Sequence, residues 1–229
     1  VEAAWERQDW SSVERLAADE TSTRKGHKYG TVFLEIEGQE TSRGRGAARA
    51  ARLLFFTPGK DADTFTQFAA ELERRGVPAD QIAEIAMDMS KAFIAGAAVH
   101  FHNAQICYDR FHVMKLCGEA VDQVRKEIAR NCGGLPRGAM WALRGNPKNL
   151  RQEQIQLREE ICREHRQIAR ALSIKEFLAD MWNYRHAKDA AEHLRAVTSW
   201  CSRSRLPSFV KLARTLQGHL DGILGYFKN

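Results

Sequence analysis

The chain has 229 residues, 44% of them hydrophobic and 28% charged, with a formal net charge of +6. These are globular proportions. No uninterrupted apolar stretch nears the ~20 residues of a membrane-spanning helix, and the acidic, polar start Val1-Glu2-Ala3-Ala4-Trp5-Glu6 lacks the features of a secretory leader.

In chain order, residues 13–19 read as a first strand. Residues 29–36, rich in β-branched and aromatic side chains, read as a second. Residues 42–52 are Gly/Arg-rich and read as a basic loop. Residues 53–57 form a third strand, stopped by Pro58 and Gly59. A helix follows with Asp63 as its N-cap and Phe65, Phe68, Ala69 and Leu72 on one face, ending at Gly76 and Pro78. Strand four covers 82–88. Ser90 caps a short helix that buries Phe93, Ile94 and Ala97, and strand five covers 104–109. The order βββαβαβ predicts an α/β fold, a mixed five-stranded sheet flanked by helices.

From Val113 onward the pattern is helical. Val113, Leu116, Ala120, Val121 and Val124 share a stripe that breaks at Cys132-Gly133-Gly134-Leu135-Pro136. Asn149 and Gln152 resemble a capping box, opening one long helix with Leu150, Leu157, Ile161, Ile168 and Leu172 inward. Residues 183–201 form the next helix, with Ala187, Ala190, Ala191, Leu194 and Val197 inward. Pro207 opens the last, with Phe209, Leu212, Leu216, Leu220, Ile223, Leu224 and Phe227 along one side.

Three short apolar runs end in aspartate: Leu16-Ala17-Ala18-Asp19, Ile85-Ala86-Met87-Asp88 and Ile106-Cys107-Tyr108-Asp109. A carboxylate closing a buried strand sits at the strand's exposed end. Several such ends on neighbouring strands repel unless a cation lies between them. Hard oxygen ligands suit Mg²⁺, and paired ions about 3.5–4 Å apart serve phosphoryl transfer. The plainer reading is that aspartate is common after strands as a turn former. Net charge is uneven, +1 over residues 1–60, −5 over 61–109 and +10 over 110–229. An acidic middle beside a basic C-terminal half suits a metal centre next to a polyanion-binding surface.

The context of these acids carries a resemblance. Asp19-Glu20-Thr21-Ser22 is followed by Lys25-Gly26-His27 and an aromatic Tyr29. Met87-Asp88-Met89-Ser90 comes next, then Asp109-Arg110-Phe111-His112 with Val113 and Lys115. A fourth stretch runs from Leu212-Ala213-Arg214-Thr215-Leu216 through His219 to Gly222-Ile223-Leu224. Together these blocks resemble the DDE transposases of bacterial insertion sequences, of the ISL3 type, from about residue 16 to the end.

The resemblance implies a ribonuclease-H-like fold. Residues 1–112 would be the first part of the catalytic core, and residues 113–229 an all-helical insertion leading to a final catalytic helix. It implies Asp19 and Asp88 as two members of a catalytic triad that holds two Mg²⁺ (or Mn²⁺) ions. The third acid would be a glutamate just after Asn229, so the chain is expected to be a fragment, inactive alone. The implied activity is metal-dependent cleavage at transposon ends, then attack of the freed 3′-hydroxyl on target DNA. The implied partners are double-stranded DNA, both terminal inverted repeats and target, and a second copy in a homodimer; the expected location is the bacterial cytoplasm and nucleoid. The rivals are a DNA-binding or assembly module without catalysis, and a metal-dependent nuclease or resolvase on the same fold.

Asp109 reads as an auxiliary metal or substrate contact, or as a partner of Arg110 or a helix cap. His112 reads as a DNA or metal-bound-water contact, or as a buried, hydrogen-bonded imidazole. Glu20 alternates to the opposite strand face from Asp19. Arg43, Arg45, Arg49 and Arg52 read as phosphate contacts or a solvated loop, and Lys115, Lys211 and Arg214 as phosphate contacts of the helical region. His100 and His102 read as surface residues at a helix end. Five cysteines (107, 117, 132, 162 and 201) include no CxxC pair, which excludes a zinc ribbon and a thioredoxin motif. Free thiols in a reducing compartment are expected. Cys107 with His112 and Cys162 with His165 each supply at most two zinc ligands and read as core thiols. The five tryptophans read as core or interface residues, with Trp141, in a Gly/Arg-rich turn, also able to stack on a base.

Overall fold

The computed structural model describes residues 8–24, 28–36 and 51–228. These fall into two compact units, Val1–Asp109 and Arg110–Asn229.

The first unit is built on strands β1 (Arg15–Arg24), β2 (Lys28–Ile36), β3 (Ala51–Pro58), β4 (Glu84–Met87) and β5 (Gln105–Tyr108). Their spatial order is β3-β2-β1-β4-β5. β1, β2 and β3 form an antiparallel meander, and β4 and β5 run parallel to β1. Parallel neighbours need crossovers, and helices α1 (Asp63–Arg74) and α2 (Lys91–His100) supply them. A five-stranded mixed sheet in this order, with these crossovers, is a ribonuclease-H-like α/β fold followed here by helices.

The meander differs from expectation at one informative place. β1 does not stop at Asp19. Its parallel ladder with β4 ends at Ala18 opposite Met87, while its antiparallel ladder with β2 continues past Asp19 to Arg24. The long hairpin partner, not the apolar run, sets the strand's length. Arg52, expected in the basic loop, lies in β3. There it is ion-paired to Glu35 at 2.7 Å and donates to the Asp9 carbonyl at 2.8 Å, so its guanidinium is spent on the sheet edge. Arg43, Arg45 and Arg49 lie outside the described residues.

One face of the sheet is buried by aromatic packing. Phe65, Phe68 and Leu72 recur at helical spacing and are fully buried. The Phe68 ring stacks on Phe33 of β2 at 4.1 Å and 10°, and Phe65 meets Phe33 and Phe93 edge-on at 5.1 and 5.2 Å. Trp10 closes one end of this cluster, its outer face covered by the Arg75 guanidinium at 4.1 Å. α2 comes close because it has Gly96 at the contact, where a Cβ would lie 2.8 Å from the Phe65 Cβ. Asp63 is the first residue of α1 rather than its cap. Ala62 holds that position without a side-chain bond, and Asp63 instead accepts from the Gln67 amide at 2.8 Å. Ser90 does cap α2, accepting from the Phe93 N–H at 3.5 Å.

The second unit is all-helical: α3 (Arg110–Asn131), α4 (Ala139–Arg144), α5 (Gln152–Glu164), α6 (Arg166–Asp180), α7 (Ala187–Arg203), α8 (Pro207–Gly218) and α9 (Leu220–Gly225). α3 ends as expected, with Gly133 and Gly134 at φ 76° and 125° and the Gly134 N–H returning to the Ala129 carbonyl at 2.8 Å. The expected long helix is two. His165 leaves helical geometry (φ −124°, ψ 88°) between α5 and α6, and His219 does so with a different backbone (φ −120°, ψ 18°) between α8 and α9. No Gly or Pro marks the first break, whereas Gly218 directly precedes the second. The capping box sits two residues late, the Arg151 N–H donating to the Gln154 side chain at 3.0 Å.

Cys117 and Cys201 are fully buried in this unit, and burial pushes each thiol from about 9 up to about 12. Their folded-state pKa exceeds the unfolded one. The stability they contribute is therefore present below pH 9 and is lost as pH rises toward 12. At pH 8, exposed Cys132 is expected to react first with a thiol reagent, Cys117 and Cys201 reacting only after denaturant is added. Mass mapping of the labelled sites checks this; modification of Cys117 in the folded chain would contradict the burial.

Candidate active site

Three parallel strands converge on a row of carboxylates. Ala18 pairs with Met87, and Met87 with Tyr108. Asp19, Asp88 and Asp109 each come one residue after these last paired positions, and the register extended by that step aligns them. The Asp109 N–H donates to the Met87 carbonyl at 3.3 Å, carrying the ladder to that level. Residues in register share a face, so the backbone assigns all three acids to one side of the sheet. Below them on that side stand the small residues Ala17, Ala86 and Cys107. The opposite side at these strands carries Leu16, Ala18, Ile85 and Met87, all buried. Glu20 alternates to that opposite side, as the reading of β1 expects.

The acids differ in how they are held. Asp88 follows the last residue of β4. Its Oδ1 accepts from the Ser90 N–H at 2.7 Å, and Ser90 in turn caps α2. Strand end and helix start thus fix the Asp88 carboxylate together. Asp19 is exposed within β1, its Oδ1 accepting from the Glu20 N–H at 2.8 Å. Asp109 is exposed and stands between β5 and the first residue of α3. Tyr108 is a residue that the sequence reading does not single out. Burial holds its phenol above the ordinary range, and the charge of Asp88 adds to the shift. Its position one residue before an in-register aspartate is the signal that could find it.

Among the described residues no group of three or more His, Cys, Asp or Glu side chains is assembled to hold a metal. Asp19, Asp88 and Asp109 each present hard carboxylate oxygens, the donor type that suits Mg²⁺ or Mn²⁺. Cys162 is half-buried in α5, with His165 directly after that helix and 3.9 Å from Glu164. His100 ends α2 with its Nε2 2.9 Å from the Thr66 hydroxyl, and His102 is exposed.

In the helical unit, His112 is half-buried in α3 and Lys115 is exposed on the same helix. Lys211 and Arg214 are exposed on α8, three residues apart and so on one face. α3 and α8 are joined by the Ser208 hydroxyl donating to the Ala120 carbonyl at 3.0 Å. Between them lies a cleft of about 200 Å³ that Lys211 borders together with Glu119 and Gln123. Of the tryptophans, Trp10 and Trp182 are buried, whereas Trp141 is 67% exposed.

A family model described as a transposase, of the ISL3 DDE type, matches residues 16–229. The chain is 27% identical over 223 residues to the transposase for insertion sequence element IS1001 of Bordetella parapertussis, covering 94% of this chain and 52% of that protein. It is 26% identical over 239 residues to the transposase for insertion sequence element IS1557 of Mycobacterium tuberculosis, covering 92% of this chain and 50% of that protein. The chain thus spans about half the length of the curated relatives it matches.

Proposed function

Because this chain belongs to the ISL3-type family of DDE transposases, whose model covers it from residue 16 to residue 229, we propose that it is the catalytic region of an enzyme that cuts DNA at transposon ends and joins the freed 3′-hydroxyl to target DNA. The observation that carries this reading is the row of aspartates set by the register of β1, β4 and β5. Asp19 and Asp88 hold two divalent ions, Mg²⁺ or Mn²⁺. A glutamate beyond Asn229 completes the triad, and Asp109 stands as an auxiliary group at the end of the row.

When bound, such ions supply charge neutralisation at the scissile phosphate and activate the attacking oxygen. The chain's own residues supply position. Asp88 is oriented by the Ser90 N–H. Burial, and then the charge of Asp88, raise the Tyr108 phenol above its ordinary range. The helical unit, an insertion in the catalytic core, carries the surplus of positive charge and grips phosphates through Lys115, Lys211 and Arg214. His112 lies near the start of the same helix as Lys115 and contacts the substrate from there. The active complex is a homodimer on double-stranded DNA.

The DNA reading is tested by the salt dependence of binding. The triple variant Lys115→Ala, Lys211→Ala, Arg214→Ala is expected to bind duplex DNA more weakly. The slope of log K against log salt should shrink by about 2.7, roughly 0.9 for each phosphate no longer neutralised. Fluorescence anisotropy across a salt series measures it; an unchanged slope would remove these three residues from the interface.

A further inference from the structure

The helical unit holds a second feature that the acid row does not use. Between Glu127 and Glu153 the sequence has no acidic residue but has Arg130, Arg137, Arg144, Lys148 and Arg151. All five of these side chains are exposed. Among the described residues none of them is ion-paired. At the centre of this stretch, on α4, stands Trp141 with 67% of its surface open.

That exposure is built in. α4 is anchored on its other side by Ala139, Ala142 and Leu143, which are 3%, 0% and 0% exposed. Its C-terminal carbonyls are held by the Lys175 ammonium, which donates to Arg144 at 2.6 Å and to Gly145 at 3.3 Å. At its start Gly138 takes a left-handed conformation (φ 90°) that only glycine adopts freely. The helix is pinned so that the largest apolar ring in the segment faces solvent. Arg144 lies three residues on, along the same helical face.

An exposed indole in a stretch of exposed cations does not look like a protein-docking patch, because no other large apolar side chain between residues 128 and 152 is exposed. It has the two parts a nucleic-acid strand requires, a π-surface for a base and positive charge for the flanking phosphates. Bases inside a duplex are already stacked on both faces, so the ring can meet only a base that is unpaired or extruded.

We propose that Trp141, with Arg144 on the same helical face and Arg137 and Lys148 in the flanking segments, is a stacking site for an unpaired DNA base. This rests on the DNA reading above and adds to it a preference for single-stranded or unpaired nucleotides at this element.

The test compares a fluorescein-labelled single-stranded oligonucleotide with its blunt duplex, each titrated with the 229-residue chain and with its Trp141→Ala and Trp141→Phe variants. Trp141→Ala is expected to weaken single-strand binding on the order of ten-fold and to leave duplex binding unchanged. Trp141→Phe should restore most of the loss, since a smaller ring still stacks. Equal binding of both DNAs by Trp141→Ala and the parent chain would overturn the proposal and leave the DNA reading standing. So would an equal loss on both DNAs, or a changed sedimentation coefficient in Trp141→Ala, which would assign the ring to a protein interface. Failure of the parent chain to bind either DNA would overturn the DNA reading itself, and this proposal with it.

Discussion

Asp88→Asn or Asp19→Asn in the full-length protein lowers divalent-dependent cleavage of transposon-end DNA by about 1,000-fold while DNA affinity stays close to that of the parent. The magnitude follows from several kcal/mol of charge stabilisation at the transition state, at about 1.4 kcal/mol per factor of ten. The substitution is geometrically mild. Asparagine keeps an Oδ1, so position 88 can still accept from the Ser90 N–H at 2.7 Å and position 19 from the Glu20 N–H at 2.8 Å. What is removed is the negative charge and the second hard oxygen. A fold that is kept, with cleavage that is lost, isolates the carboxylate as the active element. Glu20→Gln is the control, since Glu20 alternates to the other side of β1, and it should leave cleavage near normal. Retained cleavage in both aspartate variants, measured on supercoiled DNA carrying the terminal repeats, would refute the metal-holding role.

Phe68→Ala destabilises the chain by about 3–5 kcal/mol, the cost of emptying a large buried aromatic site. Phe68 is fully buried. Its ring stacks on Phe33 at 4.1 Å and lies 5.9 Å from Phe55 and 6.1 Å from Phe101. No single neighbour can collapse into the space, because each is held by another ring; Phe33, for example, also meets Phe65 edge-on at 5.1 Å. A loss of that size is a large share of a typical domain's 5–15 kcal/mol. The transition of the first unit should then fall by more than about 10 °C in calorimetry. Phe68→Leu, which keeps much of the volume, should cost less. A loss below about 1 kcal/mol for Phe68→Ala would mean that the aromatic cluster does not hold α1 on the sheet.

The acid row is legible in the sequence because its signal is local and repeated. A run of three apolar residues and then an aspartate, on three strands, survives any uncertainty of one residue at each strand's start. The pairing needed to put the three acids side by side is long-range, and only the β1–β4–β5 register supplies it. The end of β1 is hidden for the same reason. Nothing near Asp19 announces that β2 will pair with the polar residues out to Arg24. Arg52 looks like loop because it closes the Gly/Arg-rich stretch 42–52, but it lies in β3, paired with Glu35, 17 residues away. The helical unit is readable as helices from apolar spacing, and so is its break at Gly133 and Gly134, but the break at His165 is not. His165 has no adjacent Gly or Pro to mark a stop, whereas Gly218 before His219 is such a signal. Tyr108 escapes notice because a tyrosine in an apolar run looks like core; its relation to Asp88 emerges only once the strands are side by side.

The central claim is that Asp19 and Asp88 share a cation. Diffraction from crystals of this chain soaked in Mn²⁺, collected at the manganese absorption edge, tests it most directly. An anomalous peak bound by both carboxylates is expected. Carboxylates more than about 8 Å apart, with no manganese between them, would contradict it.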